Sequence, residues 1–286
     1  MYDVGLDIGG TEMKLGLFDE GGRLLHVRRK PTPKDPNQVV EVIYSMMKDI
    51  TYGRFGIATA GTVDRQRLAL SDLGGNISSW RGFPLGEALK RKGVRVDALE
   101  NDVNCALVAE MTCRTEEDVL YVGIGTGIGG AFYTGGRLFL GSRGSAMEIG
   151  HMIVREGGDP CACGQRGCAE VYYSAKAFYK RMKEAGFDDG DTFLDSGDEK
   201  ATNYVLGLAD YFIGLESVLN PSVIVIGGGM ATYAPRITVH VRRAMLERGN
   251  DNIRAPIDLA HFRNDGGMIG AVLLAKKEGR TCENHL

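Results

Sequence analysis

Several things are missing from this chain, and each absence narrows its function. No apolar run reaches the roughly eighteen residues that begin to suggest a membrane span. The N-terminus shows no signal-peptide pattern, since residues 4–7 already have the character of a strand. Charge of one sign is not in excess: 34 Lys and Arg face 37 Asp and Glu, a net charge of −3, so neither a nucleic-acid face nor a membrane-binding surface is expected. A disulfide framework is also absent. Six cysteines are spread over 286 residues and three of them cluster beside a histidine, a pattern expected of metal binding in a reducing cytoplasm. Cys105, Cys113 and Cys282 have no such company and are expected to be small buried residues or a free surface thiol. No low-complexity linker interrupts the chain. Two domains, or one large α/β unit, would therefore meet at a compact hinge near Cys113–Glu117. Tryptophan occurs once, at Trp80, where core packing and a domain-edge lid are both open.

Glycine, by contrast, is abundant, with 41 residues that fall in clusters. The densest chemistry lies in Met147–Glu170. Cys161-x-Cys163-x4-Cys168 supplies three thiolates, and His151 supplies a fourth ligand upstream. A Cys3His set fits a closed tetrahedral zinc site with no open position, so the zinc is expected to be structural. Gly164 and Gly167 allow the loop to turn back sharply. Three reduced cysteines beside an ordinary histidine is the alternative. Glu148, His151 and Glu170 form a polar set suited to the hydroxyls of a small polyol, because each carboxylate accepts more than one proton. Solvated side chains at a loop edge are the other reading, and the preferred one for Glu156.

Strand, glycine-rich turn with threonine, and returning strand occur twice, at residues 4–18 and 119–133. The repetition implies two related halves. In Asp7-Ile8-Gly9-Gly10-Thr11-Glu12-Met13-Lys14, the hairpin can bring backbone N–H groups and the Thr11 hydroxyl close to phosphate oxygens. Asp7 could hold water around a magnesium ion, and Lys14 either adds positive charge or is solvated. Gly125-Thr126-Gly127 is the matching turn. The stretch Gly123–Gly130 around it contains G-x-G-x-x-G spacing, but a dinucleotide fingerprint must open a helix, and residues 129–133 have strand character. An ordinary hairpin explains either turn alone; the pair suggests a nucleotide. Gly227-Gly228-Gly229, between a buried strand and a helix, is either clearance for a nucleoside or a tight turn.

Glu100-Asn101-Asp102 ends a strand at its carboxyl end, where α/β sheets place ligands. Asp102 is a candidate general base and Asn101 a hydroxyl-binding amide; Asp102 is also well placed to cap the helix that starts at Val103. Further helices are expected over about 38–47 with Asn37 as cap, 83–92, 174–185, 200–219 and 267–277.

Together these stretches resemble the ROK family of repressors, uncharacterised reading frames and sugar kinases. The most specific parts are Glu148-x-Gly150-His151 and Cys161-x-Cys163-Gly164-x2-Gly167-Cys168-x-Glu170. Asp7-x-Gly9-Gly10-Thr11, Glu100-Asn101-Asp102 and Gly125-Thr126-Gly127-x-Gly129-Gly130 agree in order and spacing. The resemblance implies an α/β fold of the two-domain, actin-like and hexokinase-like ATPase type with a cleft between the domains. A small N-terminal domain would span 1–113, completed by the C-terminal helix 268–286, and a large domain with the zinc loop would span 114–267. It further implies ATP-dependent phosphorylation of a hexose at the 6-hydroxyl. Asp102 would be the base, and Asn76, Asn101, Asp102, Glu148, His151 and Glu170 would lie at the sugar. Asp7, Gly9, Gly10, Thr11, Lys14, Gly125, Thr126, Gly127 and Gly227–Gly229 would serve ATP and Mg2+. His151, Cys161, Cys163 and Cys168 would bind Zn2+.

The cysteine loop is similar to those of the family's glucokinases and of its N-acetylmannosamine and N-acetylglucosamine kinases, which makes glucose the first expected substrate and the N-acetylated hexoses the alternative. Two departures stand out. The family's proline-glycine loop is here Ala60-Gly61-Thr62, and its Asn-Leu-Pro-Gly-Trp stretch is Asn76-Ile77-Ser78-Ser79-Trp80; both border the sugar in the family. A sugar-sensing regulator of the family would need a DNA-binding module ahead of the Asp7 strand, which starts at residue 4. The remaining expectations are a cytoplasmic homodimer whose partners are hexose and ATP, with neither nucleic acid nor membrane.

Overall fold

In a computed structural model of the chain, residues 1–71, 80–248 and 255–281 are described. Their packing divides the chain into two compact units. The first holds Met1–Cys113, Leu140–Ser145 and the stretch from Asp265 onward; the second holds Arg114–Phe139 and Ala146–Asn264.

The first unit opens with a meander of β1 (Tyr2–Ile8), β2 (Glu12–Phe18) and β3 (Leu24–Pro31). Helix α1 (Pro36–Met47) then leads to β4 (Tyr52–Thr59). A two-stranded hairpin, β5 (Val63–Asp64) with β6 (Ala69–Leu70), precedes α2 (Leu85–Arg91), β7 (Ala98–Asn101) and α3 (Asp102–Glu110). The five main strands are ordered β3-β2-β1-β4-β7, with the meander antiparallel and β4 and β7 parallel to β1. Val4, Leu6, Ile8, Leu15, Phe55 and Ile57 are buried with Val39, Ile43 and Met46 of α1.

Two details differ from the sequence expectation. Asp35, not Asn37, caps α1, accepting from the Asn37 N–H at 2.9 Å. Pro36 sits inside the first turn, where its missing N–H costs nothing. Trp80 is core, 3% exposed, and its indole N–H donates to the Lys34 carbonyl. A lid role for it is set aside.

The C-terminal helix (Gly266–Thr281) belongs to this unit and lies very close to its neighbours. A Cβ on Gly5 would stand 2.0 Å from the Met268 carbonyl oxygen, one on Gly56 1.9 Å from that of Ala271, and one on Gly270 1.8 Å from that of Cys105. Glycine is required at these three positions because backbone meets backbone there.

The second unit repeats the plan: β8 (Val119–Ile124), β9 (Ile128–Thr134) and β10 (Arg137–Leu138) form the meander. After the cysteine loop come α4 (Ala169–Tyr173), α5 (Ala175–Glu184), α6 (Gly190–Asp195) and α7 (Glu199–Leu219). Then follow β11 (Val223–Gly227), α8 (Gly229–Tyr233), α9 (Ile237–Arg248) and β12 (Ile257–Leu259). The sheet order is β10-β9-β8-β11-β12, again with an antiparallel meander and two parallel additions. The internal repeat thus extends to the whole connectivity of both sheets. Its core gathers Tyr204, Phe178, Phe193 and Phe212, and α7 buries Val205, Leu208, Phe212 and Leu215 along one face. The short α4, α6 and α8 carry too few residues to display a helical period, so the sequence pattern did not reveal them. No helix among the described residues is long and apolar enough to cross a membrane.

Candidate active site

In the first unit, the chain leaves β7 through Asn101 and enters α3 at Asp102. Asn101 is the helix cap: its Oδ1 accepts from the N–H groups of Val103 at 2.9 Å and Asn104 at 3.1 Å. Its amide also donates to the Gly61 carbonyl at 3.2 Å, tying the junction to the Ala60-Gly61-Thr62 loop. The cap expected of Asp102 therefore belongs to Asn101, because the helix begins one residue earlier than its apolar pattern indicates. Asp102 is freed from capping duty, although its Oδ1 also accepts from Val103 N–H at 2.9 Å. Burial raises its pKa above the usual carboxylate range, against the pull of that hydrogen bond.

Asp7 is the last but one residue of β1 and is directly opposite Lys14 on β2. Burial and the neighbouring Asp102 push the Asp7 carboxyl up to about 7; Lys14 opposes this and Asp265 adds to it. The carboxylate lies over the first turn of the C-terminal helix, where a Cβ on Gly267 would be 2.8 Å from its Cγ. Asp265 and Gly267 carried no signal in the sequence, because only the folded chain brings residues 265–267 to residue 7. The Gly9-Gly10-Thr11 turn between β1 and β2 is shaped by a Gly9 N–H to Glu12 carbonyl bond of 3.1 Å. Gly10 and Thr11 are exposed, with open space beside Gly10.

The corresponding turn of the second unit joins β8 to β9. Gly125 N–H donates to the Gly127 carbonyl at 2.9 Å, and the Gly125 carbonyl accepts from Ala175 at the start of α5. Thr126 is exposed. A Cβ on Gly127 would stand 2.5 Å from Glu170 Oε2, so the turn and this carboxylate are in contact. The triple glycine forms a strand-to-helix turn. Gly228, at φ 75°, caps α8, and a Cβ on Gly227 would stand 1.8 Å from the Tyr121 hydroxyl. Packing alone therefore accounts for glycine at 227 and 228.

Between β10 and α4 the chain has little regular structure. Met147 takes a left-handed φ of 70°, and a single turn of 3-10 helix, Ile149–His151, follows. Gly164 and Gly167 adopt φ of 93° and 83°, the reversals that their sequence positions require. The loop folds back through bridges Ile153–Cys168 and Pro160–Arg166. His151, Cys161, Cys163 and Cys168 are thereby gathered, with ligand atoms all within 4.8 Å of one another. His151 Nδ1 is 3.6 Å from Cys161 Sγ, and Cys163 Sγ is 3.6 Å from Cys168 Sγ. Two ligands about 2.3 Å from one tetrahedral centre lie ~3.8 Å apart, so the set fits a zinc ion.

Cys161 Sγ also donates to Glu170 Oε1 at 2.9 Å. Glu148 and Glu156 are exposed, while His151 and Glu170 are partly buried. Two tyrosines support the loop from below. Tyr211 donates to the Ile149 carbonyl at 2.9 Å, and the Tyr172 hydroxyl accepts from Asp159 N–H at 2.6 Å. Neither announces itself in the sequence, since core tyrosines share the apolar period. Asn76 lies outside the described residues.

Known sugar kinases resemble this chain along nearly its whole length. A glucokinase of Streptomyces coelicolor is 31% identical over 315 aligned positions, covering 96% of this chain and 97% of that protein. An N-acetyl-D-glucosamine kinase of Escherichia coli O127:H6 is 30% identical, covering 96% and 99%. Among solved structures, a ROK family glucokinase from Streptomyces griseus in complex with glucose and AMPPNP superposes with a TM-score of 0.81 at 27% identity, over 97% of this chain and all of that one. The two sheets of like connectivity accordingly place the fold among the hexokinase-like, actin-like α/β ATPases. The ROK family model matches residues 3–278, and the chain belongs to the ROK family.

Proposed function

We propose that this protein phosphorylates a hexose at its 6-hydroxyl, with glucose as the first substrate. It is an ATP-dependent sugar kinase. The observation that carries the reading is the repeated hairpin: two glycine-threonine turns at equivalent places in two sheets of the same connectivity, the first beside a partly buried carboxylate pair.

In this reading Asp102 accepts the proton of the sugar hydroxyl as its oxygen attacks the γ-phosphorus of ATP. Burial makes Asp102 a stronger base than an exposed carboxylate, and a positioned base contributes roughly 10²–10⁴-fold. Because phosphoryl transfer has a loose transition state, most of the remaining acceleration comes from positioning and charge neutralisation. Gly9, Gly10, Thr11, Gly125, Thr126 and Gly127 would offer N–H and hydroxyl donors to the phosphates, with Lys14 adding positive charge. Gly227–Gly229 would lie near the nucleoside. Asp7 would hold the waters of Mg2+, a role that suits a carboxylate crowded by Asp102 and Asp265. Asn101, Glu148 and Glu170 would bind sugar hydroxyls. His151, Cys161, Cys163 and Cys168 would hold a structural zinc that fixes the loop, leaving the second ring nitrogen of His151 to donate to a hydroxyl.

The 30% identity to an N-acetylglucosamine kinase, nearly equal to that with a glucokinase, supports a second reading in which the substrate is an N-acetylated hexose. Coupled ADP release measured over glucose, N-acetylglucosamine, N-acetylmannosamine, mannose and fructose separates the two. Glucose is expected to give the highest kcat/KM. Asp102→Asn, run beside it, should lose about 10²–10⁴-fold in kcat while still binding sugar and melting as the wild type does. Turnover near the wild-type rate would remove Asp102 as the base.

A further inference from the structure

Glu100 stands immediately before Asn101 and Asp102, and no role has yet been given to it. It is 4% exposed. Its carboxylate meets the Arg65 guanidinium edge to edge: Arg65 Nε donates to Oε2 and Nη2 to Oε1, each at 2.5 Å. Oε1 accepts further from the Asn101 N–H at 2.7 Å and from Asn104 Nδ2 at 2.9 Å. One buried carboxylate thus binds the last residue of β7, the first turn of α3 and the turn between β5 and β6.

The third arm of Arg65, Nη1, donates to the Gly144 carbonyl at 3.4 Å. Gly144 has φ 71°, and a Cβ there would stand 2.4 Å from Nη1. Leu140–Ser145 packs with the first unit, although the chain on either side of it packs with the second. Four residues after Gly144 comes Glu148, followed by the turn that carries His151. Arg65 therefore touches both the junction that carries Asp102 and the segment that runs into Glu148 and His151. A pair this buried is a poor way to gain stability, since desolvation offsets most of its attraction. The planar fork of arginine does fix relative position in a way that a point charge does not.

We infer that Arg65 and Glu100 are positioning residues for phosphoryl transfer, clamping the β7–α3 junction so that Asn101 and Asp102 keep a set place relative to the turn between β5 and β6 and to Leu140–Ser145. The inference rests on the reading of Asp102 as the base. Neither residue needs to touch substrate.

The test is steady-state hexose phosphorylation by the full chain, with melting temperature measured on the same samples. Arg65→Met should lower kcat on the order of 10- to 100-fold, as a misplaced catalytic group does, and leave KM for ATP unchanged. Arg65→Lys keeps a charge beside Glu100 but cannot fill both carboxylate oxygens. Its melting temperature should return to that of the wild type while kcat stays low. Glu100→Gln should likewise lose kcat without unfolding. A lysine variant as active as the wild type would overturn the inference, because any positive charge would then suffice. Losses that track the loss of folded protein in all three variants would also overturn it, leaving a purely structural pair. If the wild type transfers phosphate to no hexose, the reading of Asp102 falls and this inference with it. If the wild type is active and the variants match it, this inference alone falls.

Discussion

Asp102 and His151 are held in place by different means. Asp102 sits where a strand ends and a helix begins, and its surroundings are regular: a capped first turn, a buried ion pair behind it and a C-terminal helix packed backbone against backbone. His151 sits in a loop of some twenty irregular residues, turned by Met147, Gly164 and Gly167 and converging on three thiols. Ordered backbone on strands and helices carries its own hydrogen bonds, so a local support such as the Arg65–Glu100 pair is enough to place a side chain on it. An irregular loop gains little from ladders and needs other supports, here two tyrosine hydroxyls and a gathered cysteine–histidine set that could hold a metal.

The comparison can be broken at three points. The largest effect is expected from the metal set. Cys161→Ser, or treatment with a strong chelator, should release zinc measurable by elemental analysis and raise KM for hexose by at least about tenfold, since removing a support of this kind costs that much. KM for ATP should not change. A zinc-free protein with unaltered hexose KM would mean that the loop holds itself.

A smaller effect is expected where the first unit relies on backbone contact. Gly56→Ala places a methyl carbon 1.9 Å from the Ala271 carbonyl oxygen. Overpacking of this sort costs about 1–3 kcal/mol, visible as a lowered denaturant midpoint. An unshifted midpoint would show that the C-terminal helix yields easily and that this part of the site is not rigid.

The smallest concerns Asp7, whose folded pKa lies near 7, above the ordinary carboxylate value of 3.8. The folded state therefore holds a proton that the unfolded chain releases, so this group weakens the fold progressively as pH rises from about 4 to about 7, and by a constant amount above that. In magnesium-free buffer at pH 8, Asp7→Asn should melt a few degrees above the wild type, and the gap should close at acid pH. A variant that melts lower at pH 8 would mean that Lys14, not the acidic neighbours, governs the site.

The repeat of glycine-threonine turns, the cysteine and histidine spacing, and the apolar periods of α7 and the main strands were all legible in the chain. They are local features: a turn, a ligand spacing or a helical face is written within a few residues of itself. The C-terminal helix was legible as a helix, but its Gly5, Gly56 and Gly270 contacts were not, because they join residues far apart in the chain, Gly5 with Met268, Gly56 with Ala271 and Gly270 with Cys105. The same holds for Arg65 with Glu100. In sequence Arg65 is one charge in Asp64-Arg65-Gln66-Arg67, indistinguishable from a solvated turn.

By itself the sequence determined which residue types were available for chemistry: the acid at 102, three cysteines and a histidine at metal-ligand spacing, and two glycine-threonine hairpins. Tertiary structure alone decided what supports them. It made Asn101 the helix cap in place of Asp102, brought Asp265 and Gly267 to Asp7, set Glu170 against Gly127, and closed the Arg65 fork on a buried carboxylate. The physical reason is the same in each case. A group's pKa, its remaining hydrogen-bond capacity and its rigidity depend on what packs against it, and those neighbours come from distant parts of the chain.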